Sequence, residues 1–138
     1  MTPETVRDAM VPEPTTLSAG ASAQEAGMAL GDSGDVRAIF VTEADGQLVG
    51  VVTRKTLVRE VVAAGLDPRT TVLRDIAEPP NNTLGAGLGL EEGYRFLEEH
   101  DLERVPVVED GRLVGVLSRA VVQRRLAEDE ARDEPNGR

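Results

Sequence analysis

The chain has 138 residues, which suits one compact domain or two small repeats that share a core. Apolar residues make up 40% of the composition and aromatic residues only 2%, so an aliphatic core of sheet and helix is expected. The formal net charge of -10 disfavours nucleic acid and anionic membranes as partners, and the absence of cysteine excludes disulfides, thiolate catalysis and cysteine–zinc sites.

The N-terminus, MTPETVRDAM, lacks the basic start and apolar run of a signal peptide. The chain also has no uninterrupted run of about 18 apolar residues, the length that a membrane-spanning helix needs. Together with the lack of cysteine, these features predict a cytoplasmic protein.

The first predicted elements are a short strand around Thr16 and a helix that begins after Ser22. Ser22 and Glu25 have the spacing of a capping box, in which each side chain accepts a hydrogen bond from the other residue's backbone N–H. The apolar run AIFV at 38–41 then predicts a buried strand.

A hairpin and a second helix follow this strand. Asp45-Gly46 lies between two apolar runs and is a strong hairpin signal. The returning strand, QLVGVVT, ends at Thr53, and a helix with one apolar stripe is predicted from there to about Gly65.

The second half of the chain repeats this order of elements. A shift of 67 residues aligns TLSAGASAQEAGMAL (16–30) with TLGAGLGLEEGYRFL (83–97). After two single-residue gaps, DGQLVGVVTR (45–54) aligns with DGRLVGVLSR (110–119). The final helix is predicted to run to about Glu128, and the internal duplication indicates two copies of one supersecondary unit.

The duplication predicts an α/β fold of the mixed α+β kind. One unit of about 60 residues buries too little surface to be stable alone, so we expect two tandem repeats packed sheet to sheet with pseudo-twofold symmetry. The repeats are predicted at residues 1–67 and 68–128. Residues 129–138, DEARDEPNGR, are polar and charged and are predicted to form a disordered acidic tail.

The motifs resemble those of a known family. Each repeat has T-L near its start, a helix with small residues and the segment D-G-x-L-V-G-V-[VL]-[TS], and the second repeat adds V-P-V-V. Residues 3–127 therefore resemble a tandem pair of cystathionine-β-synthase (CBS) domains, called a Bateman module.

The resemblance implies a non-catalytic regulatory module with two clefts between the repeats. Such clefts commonly hold adenosine-containing ligands such as AMP, ADP, ATP or S-adenosylmethionine, and two modules commonly pair. We therefore expect a homodimer, with the final helices as its surface, and an unidentified protein partner that receives the output.

The resemblance places candidate ligand-binding residues where each returning strand meets its helix and on the neighbouring strands. They are Thr83, Arg104, Val105, Pro106, Ser118 and Arg119 in the second repeat, and Thr16, Thr53 and Arg54 in the first. Phe40 stands where the second repeat has Pro106, so we expect the second repeat to bind nucleotide more tightly.

Both repeats depart from the family at one position. Family members that bind adenosine nucleotides have G-h-h-[TS]-x-x-D at the junction, and the aspartate accepts hydrogen bonds from the ribose hydroxyls. Here GVVTRKT and GVLSRAV place Thr56 and Val121 at that position. A charge-assisted hydrogen bond contributes about 1.5–3 kcal/mol, so its loss predicts ribose binding weakened about tenfold to a hundredfold per site.

Three interpretations stay open: a regulatory ligand sensor, a degenerate pair that acts by dimerisation or protein contact, and an enzyme with an unrecognised site. Thr53 and Ser118 suit helix caps as well as ligand contacts. Arg54 and Arg119 suit a phosphate beside a helix N-terminus as well as solvent-exposed ion pairs. His100 is the single histidine, so the sequence supports neither a metal site nor catalysis.

Overall fold

The computed structural model describes residues 4–12, 14–32 and 34–133. The elements, in chain order, are α1 (Val6–Ala9), β1 (Val11–Pro12), β2 (Thr16–Ser18), α2 (Ala23–Asp32), β3 (Ile39–Thr42), β4 (Leu48–Val52), α3 (Arg54–Leu57), a π-helical segment (Val58–Val62), α4 (Leu73–Ile76), β5 (Leu84–Gly85), α5 (Leu90–Glu99), β6 (Arg104–Glu109), β7 (Arg112–Ser118) and α6 (Arg119–Asp133). The predicted mixed α/β fold with a sheet in each of two units is confirmed.

The first unit comprises residues 14–81 and 110–113. Its sheet has the order β2-β3-β4, with β2 parallel to β3 and β3 antiparallel to β4. Ile39, Val41 and Val52 are fully buried in one apolar cluster with residues from the helices. This burial matches the apolar runs from which the two central strands were predicted.

The helix α2 begins as its capping box predicts. The backbone N–H of Ser22 donates to Glu25 Oε2 over 2.8 Å, and the N–H of Glu25 donates to Ser22 Oγ over 3.2 Å. These two bonds satisfy backbone donors that the first turn of a helix otherwise leaves unpaired. Leu30, near the other end of α2, is 2% exposed and anchors the helix in the core.

The second unit comprises the described residues through 12, together with 82–109 and 114–133. Its sheet has the order β1-β7-β6-β5, with β5 parallel to β6 and β1 antiparallel to β7. Its apolar core includes ten buried residues: Val6, Ala9, Leu84, Ala86, Leu90, Leu97, Val105, Val107, Leu117 and Val122.

Each unit takes a short helix from the start of the other sequence repeat. The N–H of Val6 in α1 donates to the Leu88 carbonyl over 2.8 Å, in the second unit. The N–H of Leu73 in α4 donates to the Ala21 carbonyl over 2.8 Å, in the first. The predicted repeats at 1–67 and 68–128 describe the duplication, whereas the packed units exchange α1 and α4.

Both predicted hairpin turns form. Asp110 and Gly111 have φ values of 54° and 80°, the left-handed conformation that a two-residue turn requires at both positions. Gly46 has a φ of 92°. The second turn also joins the first unit, since the N–H of Leu48 donates to the Gly111 carbonyl over 3.1 Å.

The helix after Thr53 differs from a regular α-helix. It continues from α3 as a π-helical segment, in which the N–H of Ala63 donates to the Val58 carbonyl over 2.8 Å. The last helix, α6, runs through Asp133 and so includes the beginning of the segment predicted to be disordered. Residues 134–138 of that segment lie outside the described residues.

Among the described residues, no helix combines the length and apolar composition needed to cross a membrane.

Candidate ligand site

The first junction, residues 53–56, connects β4 to α3 and is closed by a capping box. The N–H of Thr56 donates to Thr53 Oγ1 over 3.3 Å, and the N–H of Thr53 donates to Thr56 Oγ1 over 3.0 Å. Thr53 is therefore a helix cap, the alternative that the sequence left open. Thr56 is the one buried polar side chain recorded among the described residues and is fully inaccessible.

A carboxylate from the segment between the repeats lies beside this capping box. Thr56 Oγ1 donates to Glu78 Oε1 over 3.0 Å. The Arg59 guanidinium, on the π-helical segment, donates to the same oxygen over 2.7 Å. The Glu78 side chain is 48% exposed, so this position couples a fully buried hydroxyl to a carboxylate that faces solvent.

The backbone of Glu78 is fixed against the free edge of β4. Its N–H donates to the Val51 carbonyl and its carbonyl accepts from the Val51 N–H, both over 2.9 Å. Gly50 permits this approach, because a Cβ there would lie 2.5 Å from the Glu78 carbonyl oxygen. The segment thus adds a one-residue bridge to the sheet beside the first junction.

The second junction, residues 118–121, has the same backbone plan with different side chains. Val11 in β1 lies opposite Val116 in β7, and a Cβ on Gly115 would contact the Val11 carbonyl at 2.9 Å. The repeat alignment pairs Val11 with Glu78 and Val121 with Thr56. The polar pair of the first junction is therefore replaced by two valines at the second.

The two junction arginines form equivalent contacts inside their own units. The Arg54 guanidinium donates to the Leu30 carbonyl, near the end of α2. The Arg119 guanidinium donates to the Leu97 carbonyl in α5 over 2.9 Å. Each arginine thus donates to a carbonyl of a helix. This contact differs from both expectations from the sequence, which were a phosphate site and a solvent-exposed ion pair.

Arg119 is enclosed more than a surface arginine. Its side chain is 19% exposed, and its guanidinium lies 3.5 Å from Asp101 and 3.6 Å from Glu103. Its Nε is buried without a hydrogen-bond partner among the described residues. The second junction therefore holds an unpaired cationic donor next to two exposed carboxylates.

The other candidate residues lie on strands of their own units. Thr16 is exposed in β2, and Thr83 is exposed before β5. On β6, Arg104 is exposed and Pro106 is half-buried. Val105 is 1% exposed and belongs to the apolar core, so its side chain contacts core residues.

A cavity of about 350 Å³ lies elsewhere in the second unit. Its lining consists of Glu4, Gly89, Leu90, Glu91, Glu92, Arg95 and Leu126. None of the predicted site residues belongs to this lining, and its three carboxylates disfavour an anionic ligand. The cavity is therefore not the site that the sequence predicts.

The ionisable groups with a shifted pKa also lie away from the junctions. A backbone hydrogen bond from Arg69, followed by a bond from its side chain, lowers the pKa of Asp67. The same side-chain bond raises the pKa of Arg69. Among the described residues, no group of three or more histidine or acidic side chains is placed to hold a metal ion.

Glu78 is a polar neighbour of the junction that sequence reasoning missed. It lies in the segment AEPPNN, where nothing in the local pattern links it to Thr56, 22 residues earlier. The alignment of Glu78 with Val11 was an available signal, because it marks a polar substitution at one of two equivalent positions.

Comparison with known proteins agrees with this architecture. The model of the CBS domain family matches residues 6–63 and 73–128. Hypoxic response protein 1 from Mycobacterium tuberculosis is 34% identical over 94 residues, which cover 68% of this chain and 66% of that protein. The chain thus spans just under two thirds of that relative. The CBS domain-containing protein YhcV from Bacillus subtilis is 30% identical over 82% of this chain and 79% of its own length.

Solved structures have the same fold. Hypoxic Response Protein I with two coordinated zinc ions has a TM-score of 0.75 at 30% identity and covers 91% of this chain and 99% of that one. CBSX2 from Arabidopsis thaliana has a TM-score of 0.75 at 26% identity over 96% of this chain and all of that one. CBSX2 in complex with AMP has a TM-score of 0.72 at 26% identity over 91% of this chain and 98% of that one. The chain belongs to the CBS domain family, as a tandem pair of CBS domains.

Proposed function

We propose that this protein is a non-catalytic regulatory module that binds an adenosine-containing ligand and presents the change to a protein partner. The observation that carries the proposal is the AMP complex of CBSX2, which aligns with 91% of this chain. ADP, ATP and S-adenosylmethionine share the adenosine group and are the other candidate ligands.

The proposed binding positions are the two strand-to-helix junctions and the strands beside them. In the second unit, the guanidinium of Arg119, whose side chain is 19% exposed, supports a contact with an anionic group of the ligand. Ser118, at the end of β7, and Pro106, on β6, are both half-buried and are the other proposed residues of that site. Thr53 and Arg54 occupy the equivalent positions of the first unit.

The junction arginines suggest how binding changes the module. Arg54 and Arg119 each hold a carbonyl of the preceding helix, so a ligand phosphate competes with that carbonyl for the guanidinium. A ligand shifts a conformational equilibrium only by the difference in its affinity for the two states. We propose that the arginine releases the Leu30 or Leu97 carbonyl in the ligand-bound state and holds it in the ligand-free state.

Isothermal titration with AMP, ADP, ATP and S-adenosylmethionine at fixed salt tests the proposal. We expect micromolar binding of at least one ligand, and a folded protein that binds none of the four would overturn it. Two matched double variants test where binding occurs: Ser118→Ala with Arg119→Ala, and Thr53→Ala with Arg54→Ala. The expectation that the second unit binds more tightly predicts the larger loss in the first of these variants.

A second candidate function is self-association without nucleotide, and one surface favours it. Val58 and Val62 in the π-helical segment and Leu66, just after its end, are 58%, 72% and 48% exposed. The aligned positions near the start of α6 include Gln123 and Ala127, which offer less apolar surface. We therefore propose the helix after Thr53 and the turn that follows it, rather than the final helix, as the surface that pairs two copies.

A further inference from the structure

We infer that Glu78 is a ligand-binding residue of the first junction, where its carboxylate accepts hydrogen bonds from the ribose hydroxyls of an adenosine-containing ligand. The inference rests on the proposed function and names the side chain that binds the ribose of that ligand. Its basis is the hydrogen bonding of Thr53, Thr56, Arg59 and Glu78, all of which belong to the first unit.

The direction of the bond between Thr56 and Glu78 follows from its partners. Thr56 Oγ1 accepts from the Thr53 N–H and lies 3.0 Å from Thr53 Oγ1. A carboxylate can only accept, so the hydroxyl proton of Thr56 points to Glu78 Oε1. Because Thr56 is fully buried, this donor has one fixed direction and orients the carboxylate.

Hydrogen bonds hold both the carboxylate and the main chain of Glu78. Arg59 donates to Oε1 from the π-helical segment, and two backbone bonds to Val51 fix the Glu78 main chain. Both side-chain bonds reach the same oxygen, and Oε2 has no hydrogen-bond partner among the described residues. Since the Glu78 side chain is 48% exposed, solvent and a ligand can approach this carboxylate.

The chemistry of this oxygen selects hydrogen-bond donors. A carboxylate oxygen accepts bonds from hydroxyl groups and repels phosphate oxygens. In a nucleoside monophosphate, the two ribose hydroxyls lie on adjacent carbons, and a carboxylate oxygen can accept hydrogen bonds from them. The second junction has Val11 and Val121 at the equivalent positions, so this way of reading ribose belongs to the first junction alone.

The experiment compares two ligands at two sites in the full chain. AMP and 2′,3′-dideoxy-AMP, which lacks both ribose hydroxyls, are titrated into ¹⁵N-labelled protein. The amide signals of Thr53 and Thr56 report the first junction, and those of Ser118 and Arg119 report the second. The variants are Glu78→Gln and the matched control Glu60→Gln, since Glu60 also pairs with Arg59, over 3.1 Å, and has no recorded bond to Thr56.

We expect Glu78→Gln to weaken AMP binding at the first junction by about tenfold and to leave the binding of the dideoxy ligand unchanged there. Glu60→Gln should change neither. A change that is equal for both ligands, or absent for both, would overturn the inference, because a structural role does not distinguish ribose from dideoxyribose.

The wild-type protein separates this inference from the proposed function. Equal affinity of the wild-type first junction for the two ligands overturns the inference and leaves the proposed function intact. If neither AMP nor the dideoxy ligand shifts any signal of the folded protein, the proposed function loses AMP as its ligand and this inference falls with it.

Discussion

Gly50 and Glu78 are in backbone contact: a Cβ placed on Gly50 would lie 2.5 Å from the Glu78 carbonyl oxygen and 3.0 Å from Ala77 Cβ. The opposing atom is main chain and is held by two hydrogen bonds to Val51, so it cannot move aside at low cost. Gly50 is therefore required in this repeat motif because the segment that contains Glu78 packs directly against it.

Gly50→Ala is predicted to destabilise the protein by about 1–3 kcal/mol, the usual cost of overpacking, because the added methyl displaces the Glu78 backbone. Urea denaturation measures this free energy of unfolding. Gly20→Ala is the control, since a Cβ at Gly20 has no neighbour within 4 Å. Equal stability of the two variants would contradict the prediction.

Thr56→Val tests the buried hydroxyl. The change keeps the shape of the side chain and removes both an acceptor for the Thr53 N–H and the donor to Glu78. We expect a loss of about 1–3 kcal/mol in the free energy of unfolding, because a part-buried N–H and the carboxylate of Glu78 each lose a hydrogen-bond partner. Thr16→Val, on an exposed strand position, should change stability by less than about 0.5 kcal/mol.

Val121→Asp tests whether the missing acid limits the second junction. Val121 is half-buried in the first turn of α6, where a carboxylate also interacts favourably with the helix N-terminus. We expect affinity for AMP at the second junction to rise by about tenfold. Titration of Val121→Asn in parallel separates the effect of charge from that of polarity, and unchanged or weaker binding of Val121→Asp would show that another feature limits this site.

Val62→Lys tests the proposed pairing surface. Val62 is 72% exposed, so the substitution should leave monomer stability within about 0.5 kcal/mol of the wild type. If two copies pair through this surface, burial of a lysine should shift the protein to a smaller species in light scattering after size exclusion. The same substitution at Ala127 in α6 is the control, and dissociation by Ala127→Lys alone would place the interface on the final helix.

Local chemistry made part of this fold predictable. The capping box at Ser22 and the left-handed turn at Asp110 and Gly111 each depend on residues within a few positions of one another. The apolar runs around Ile39 and Leu117 likewise mark the strands that the core buries. Such features follow from short-range patterns, and the duplication supplied a second example of most of them.

Contacts between distant segments were not predictable in the same way. The bond of Thr56 to Glu78 and the packing of Val6 in the second unit depend on which segments fold together, which periodicity does not specify. The contacts of Arg54 and Arg119 with helical carbonyls were also not predicted. An arginine at this position of the sequence is equally compatible with an anion, with solvent and with a helical carbonyl.

The exchange of α1 and α4 has a consequence for the order in which the chain can fold during synthesis. When the ribosome has released residues up to 67, the α4 turn needed by the first unit has not emerged, while α1 has no partner until residues 84–97 follow. The helix α1 is therefore made before the first unit but reaches its native contacts after it, and Val6 and Ala9 stay available to chaperones until the second repeat follows.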